Sequence, residues 1–211
     1  MKTDNYALAL EQAREQFLTY DISSMVKKYD LTEDGNFTYI PFLGKRYRIC
    51  KRSGLVERMD GDRFVPANFE EGMTIYDILC YAQPDASLSG EFCSVMQLDG
   101  IAKSSNPGGF MFSKFSSQLE NRADDLRKIC EALGGTPYPV GEVAYRIPMF
   151  DFLPIVLQFW DGDEDFPPQL IIKWDRSILQ YMHFETTFYA TGCLLRRIAE
   201  GLRVTENDPN L

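Results

Sequence analysis

The sequence predicts an α+β fold, with antiparallel or mixed sheet and about four to five helices. Three observations carry this prediction. Apolar residues at helical spacing open and close the chain. Short runs rich in β-forming residues sit together in two blocks, one in each half. Between them there is no regular alternation of strand and helix, which a parallel α/β sheet requires.

The elements follow in order. Asp4 or Asn5 caps a first helix in which Tyr6, Leu10, Ala13 and Phe17 recur at helical spacing through Tyr20. A short helix is expected over Asp21 to Tyr29. The period then changes to that of strands at Phe37–Ile40, Arg46–Cys50 and Leu55–Met59, with Ser53-Gly54 turning the chain between the last two. Thr74 reads as the N-cap of the next helix, with Asp77 at the capping-box position and Met73 and Ile78 as a hydrophobic staple. Pro84 stops that helix near Ala82.

Residues Gln83 to Phe110 are irregular and hold the run Ser104-Ser105-Asn106-Pro107-Gly108-Gly109. Connections of such length often border a site. One long helix is expected from Phe112 to Leu133, closed by Gly134-Gly135 and Pro137. Strands are expected over Val143–Met149, Phe152–Trp160 and Gln169–Trp174, the middle one apolar enough to be central. Ile178 to Met182 reads as a strand or one helical turn. Phe184, Phe188, Thr191, Leu195, Ile198 and Leu202 define a final amphipathic helix.

The expected organisation is one α+β domain over residues 4–202 and a disordered tail over 203–211. Tyr39-Ile40-Pro41-Phe42 before Asp60-Gly61-Asp62 is echoed by Tyr145-Arg146-Ile147-Pro148 before Asp161-Gly162-Asp163. Two readings stand: a duplicated unit with halves 30–83 and 140–202, or two ordinary acidic turns, with the second preferred.

Composition limits function. The chain has 211 residues, 45% of them hydrophobic, enough for a substantial core without staples. Its 31 acidic and 22 basic residues leave a net charge of −9, which repels phosphate backbones and anionic lipid. Neither nucleic acid nor a membrane is therefore expected as a partner. The N-terminus has no apolar leader, so a cytoplasmic location is expected. Cys50, Cys80, Cys93, Cys130 and Cys193 contain no CxxC pair and read as reduced thiols.

Four local patterns are candidates for chemistry or binding. Asp161-Gly162-Asp163-Glu164-Asp165 packs four carboxylates into five residues, so Asp161, Asp163 and Asp165 are candidate oxygen ligands for a divalent cation. Phe166 and Ile172 occupy the sixth and twelfth positions, where a calcium loop wants Gly and Glu; a solvated acidic turn is the simpler reading. His183, the single histidine, pairs with Glu185 only if the backbone between them is extended. Otherwise Glu185 or Thr186 caps the last helix and His183 makes a structural hydrogen bond. Ser105, Asn106, Gly108 and Gly109 are candidate ligand-binding residues in a loop that lacks the Gly-Lys-Ser/Thr ending of a phosphate loop; a flexible turn is the simpler reading. Lys45, Arg46, Arg48, Lys51 and Arg52 form the one basic patch, suited to an acidic partner or a carboxylate ligand, with solvated strand faces the simpler reading. No motif specifies a cofactor.

The Asn5-Tyr6-Ala7-Leu8-Ala9-Leu10-Glu11-Gln12-Ala13 opening belongs to a wider set. With it go Thr74-Ile75-Tyr76-Asp77-Ile78-Leu79, Phe152-Leu153-Pro154, Asp163-Glu164-Asp165-Phe166-Pro167-Pro168, Trp174-Asp175 and His183-Phe184-Glu185. In this order and spacing the chain resembles the prokaryotic domain of unknown function 3786, seen mainly in anaerobic bacteria and archaea. The resemblance implies no established activity. Some members carry an added cysteine-rich iron–sulfur segment, which implies a link to one-carbon or corrinoid metabolism; this chain has no such cysteine cluster, and Asp165 stands where the resemblance leads one to expect Glu. Two functions are carried forward: a non-catalytic binding or accessory module for a protein or small molecule, and an enzyme or sensor whose carboxylates and His183 surround a divalent cation.

Overall fold

The computed structural model describes residues 5–98 and 112–207, with six α-helices and two five-stranded antiparallel sheets among them. The fold is α+β, as the blocks of strand and helix predict. Contacts divide the chain into two compact units, Met1–Ser87 with Leu179–Cys193, and Leu88–Ile178 with Leu194–Leu211.

In the first unit α1 (Asn5–Phe17) and α2 (Ile22–Lys28) lead into strands β1 (Thr32–Glu33), β2 (Phe37–Phe42), β3 (Lys45–Cys50), β4 (Val56–Asp60) and β5 (Arg63–Pro66). These pair in sequence order as a meander. The β2–β3 turn is Leu43-Gly44, both with positive φ (47° and 70°), the geometry that matches the twist of a tight hairpin. Asp60-Gly61-Asp62 is likewise a hairpin turn, with Gly61 at φ 58° joining β4 to β5. Along β2, Thr38, Ile40 and Phe42 face the core while Phe37, Tyr39 and Pro41 face outward.

The helix α3 (Phe69–Cys80) begins five residues before the expected Thr74. Its N-cap is Asn68, which exchanges hydrogen bonds with Glu71 in a full capping box, at 3.0 Å in each direction. Thr74 lies inside the helix and donates its hydroxyl to the Glu70 carbonyl. Gly72 permits α1 to approach α3, since a Cβ there would lie 2.7 Å from Leu10 Cδ1.

The second unit is built on β6 (Phe92–Ser94), β7 (Thr136–Pro137), β8 (Val143–Phe150), β9 (Leu153–Trp160) and β10 (Gln169–Asp175), in the order β6-β10-β9-β8-β7. The apolar strand β9 is central and buried from Leu153 through Phe159. The long helix expected over 112–133 is instead two helices, α4 (Ser113–Ser116) and α5 (Ala123–Ala132). Asn121 breaks it with φ 60° and gives its N–H to the Asp161 carboxylate rather than to a helical carbonyl. A 3-10 turn over Ile178–Gln180 resolves the choice between strand and helical turn.

The final helix α6 (Phe184–Asn207) starts in the first unit and ends in the second. It runs past Arg203, where a frayed tail is expected. Arg122 holds that end, donating to the Leu202 carbonyl and the Thr205 hydroxyl, both at 2.9 Å. Among the described residues no helix is long and apolar enough to cross a membrane.

Candidate functional site

The first unit contains a groove of about 390 Å3, lined by Ala13, Gln16, Tyr20, Met73, Tyr76, Asp77, Cys80, Tyr81 and His183. Its walls follow from helical periodicity: Met73, Tyr76, Asp77 and Cys80 fall at i, i+3, i+4 and i+7 on α3, and Ala13 and Gln16 lie three apart on α1. The volume is at the small end of ligand sites, and the lining mixes three tyrosine rings and Met73 with the polar side chains of Gln16, Asp77 and His183.

His183 stands just before α6, and Asp77 holds it at two points. The Asp77 Oδ1 lies 2.5 Å from His183 Nδ1, and Oδ2 accepts the His183 backbone N–H at 2.8 Å. The carboxylate therefore serves the first free N–H of α6 and fixes the imidazole together. The Tyr81 ring lies against the imidazole with centroids 3.8 Å apart. With Nδ1 committed to Asp77, the neutral ring carries its proton there and leaves Nε2 as an acceptor without a partner among the described residues.

Cys80 shares the groove, so a nucleophile, base and carboxylate lie in one place. They do not form a catalytic triad. Burial, with Asp77 adding to it, pushes the Cys80 thiol up to about 12, so it stays protonated at neutral pH. No hydrogen bond joins it to His183. Tyr76 is also held neutral, burial raising its phenol well above the usual range while the hydroxyl donates to the Gly54 carbonyl at 2.7 Å.

The other candidate residues fall elsewhere. Glu185 sits exposed in the first turn of α6, so the backbone after His183 is helical and the His183–Glu185 pair does not form; Asp77 takes that place. Asp161 and Asp163 use their carboxylates to shape the turn. Asp161 accepts the N–H groups of Asn121 and Gly162, and Asp163 those of Asp165 and Phe166. Among the described residues no three His, Cys, Asp or Glu side chains gather as a metal site. Ser105, Asn106, Gly108 and Gly109 lie outside the described residues.

Much of the basic patch is engaged within its own sheet. Arg48 bonds Glu57 at 2.7 Å and lies 4.0 Å from each of the Phe37 and Phe64 rings, while Lys51 pairs with Glu33 at 2.6 Å.

Asp77, Tyr81 and Tyr20 have no local signal that marks them for a site. Asp77 and His183 are 106 residues apart, and only the packing of α3 against the start of α6 joins them. The fold and this groove define an α+β protein whose single histidine is fixed by a carboxylate at the edge of an aromatic groove. The family described as Domain of unknown function (DUF3786) matches residues 21–197, and the chain belongs to that family. The match includes the α3 and His183 walls of the groove, while Ala13, Gln16 and Tyr20 precede it. No curated protein and no solved structure matches the chain.

Proposed function

We propose that this protein is a small-molecule-binding module whose ligand sits in the groove beside His183. One observation carries the reading: both Asp77 oxygens are spent on His183, which fixes the ring and leaves Nε2 as a ready hydrogen-bonding group in a concave aromatic lining. An imidazole that served only to cap a helix would not need its ring fixed at the wall of a groove. The protonated Cys80 thiol favours binding over nucleophilic catalysis. The five free cysteines suit a reducing compartment such as the cytoplasm.

The test uses the single histidine, whose imidazole protons give one set of NMR signals without assignment by mutagenesis. A library of small cationic, neutral and anionic fragments is added to the full chain. The reading expects some of them to shift the His183 signals and raise the melting temperature together. Fragments that raise the melting temperature while leaving His183 unmoved place the ligand elsewhere and overturn it.

A further inference from the structure

We infer that the groove is selective for a small alkylammonium cation, an inference that rests on the reading of the groove as a ligand site. Three of its nine lining residues are tyrosines, a fourth is the Met73 thioether, and its one carboxylate is Asp77. Among the described residues no lysine or arginine lines it. The cations near its margins are occupied: Arg14 pairs with Glu11 and the Ser53 carbonyl, and Lys28 donates to the Ala82 and Gln83 carbonyls. Met73 to Tyr81 belong to the C-terminal part of α3 and its cap, whose last turn carries no basic residue of its own; Lys28 is spent on the carbonyls just beyond it. Tyrosine rings, a polarisable sulfur and one carboxylate form an environment in which a positive charge replaces its water at low cost.

Hydrogen-bonding capacity narrows the class. A primary ammonium needs acceptors for three N–H groups. Here both Asp77 oxygens already receive His183 and the Tyr76 hydroxyl is directed at Gly54, so the acceptors that remain, on Gln16, Tyr20, Tyr81 and Nε2 of His183, are all uncharged. The carboxylate thus supplies charge but little free acceptor capacity. An alkylated ammonium has few or no N–H groups to satisfy and is recognised by ring faces and field alone. Tyr20 and Tyr81, each 38% exposed, border the groove, Tyr81 with one face against the imidazole, and Nε2 of His183 remains for a hydroxyl elsewhere on the ligand.

Choline is the probe, and dimethylbutanol, its uncharged carbon isostere, is the control of equal shape. Each is titrated into the full chain while the His183 signals are followed. Choline is expected to shift them with a dissociation constant at least about tenfold lower than the isostere, equal to ~1.4 kcal/mol. Tyr20→Leu and Tyr81→Leu keep apolar bulk but remove a ring face; each is expected to weaken choline about tenfold and leave the isostere unchanged. Equal affinities for choline and its isostere overturn the cation assignment and leave the groove as a ligand site. So does a response only to neutral or anionic fragments. A His183 signal that no probe moves overturns both.

Discussion

Glu71 is fully buried, and its replacement by glutamine has a consequence that can be worked out from its surroundings. Its Oε2 accepts the Asn68 N–H at 3.0 Å and its Oε1 accepts Arg58 Nη1 at 2.8 Å, with the Tyr47 hydroxyl as a further donor. Tyr47 and Arg58 are cross-strand partners on β3 and β4, so one carboxylate ties the start of α3 to the middle of the first sheet. Burial alone pushes the Glu71 carboxyl upward, but the bonds from Asn68, Arg58 and Tyr47 together outweigh it and hold it below the usual carboxylate range. Glu71→Gln removes the charge and turns one acceptor into an NH2 group facing a donor. Breaking a buried, hydrogen-bonded charge pair costs about 3–4 kcal/mol. With an m-value of about 2 kcal/mol/M, the urea midpoint falls by about 1.5–2 M near pH 7.

The pH dependence has a defined sign. A carboxyl whose folded-state pKa is lowered contributes its stability in full above its unfolded value, and loses that contribution as pH falls through the folded value. The gap between wild type and Glu71→Gln is therefore constant near neutrality and narrows below the ordinary carboxylate range. Urea melts of both chains at stepped pH measure it. A gap below about 1 kcal/mol at neutral pH, or one that widens in acid, refutes the reasoning.

Three further outcomes are expected. Asp175 is fully buried on β10 and accepts Ser89 N–H and Oγ–H, Gly90 N–H and Ser177 N–H; Asp175→Ala leaves the three N–H groups without this acceptor and is expected to cost about 2–5 kcal/mol in urea melts, with faster amide exchange at Ser89 and Gly90. Gly201→Ala, although alanine favours helix by about 1 kcal/mol, is expected to destabilise because its Cβ would lie 2.7 Å from Ile129 Cγ1. Combining it with Ile129→Ala is expected to give a positive coupling, because the smaller side chain removes the clash. Cys50, half-exposed and lowered chiefly by the Ser53 hydroxyl hydrogen bond, is expected to react with iodoacetamide at neutral pH well before Cys80, whose thiol is pushed up to about 12; mass spectrometry of timed samples reads the order.

Local chemistry made much of the fold legible. The largely apolar run of β9 marks a strand buried on both faces, and the Asp60-Gly61-Asp62 turn acts within a few residues of itself. Errors arose where a residue had two local uses. Asn68 and Glu71 make as good a capping box as Thr74 and Asp77, and packing selected the former because Glu71 meets Arg58. Asn121 lies in a pattern that reads as helix, and only the distant Asp161 carboxylate draws it into a left-handed turn. The site was less legible still. His183 stands out as the one histidine, but its partner is 106 residues away and the tyrosines of the groove look like ordinary core residues in sequence.

The fixed imidazole is the centre of the functional account, and its tautomer reports on it directly. Nitrogen-resolved NMR of His183, at a pH where the ring is neutral, distinguishes a proton on Nδ1 from one on Nε2. The account predicts Nδ1–H in the wild type, with Nε2 bare, and a shift toward Nε2–H in Asp77→Ala, where the acceptor is gone. An Nε2–H ring in the wild type, or a tautomer unchanged by Asp77→Ala, would contradict it.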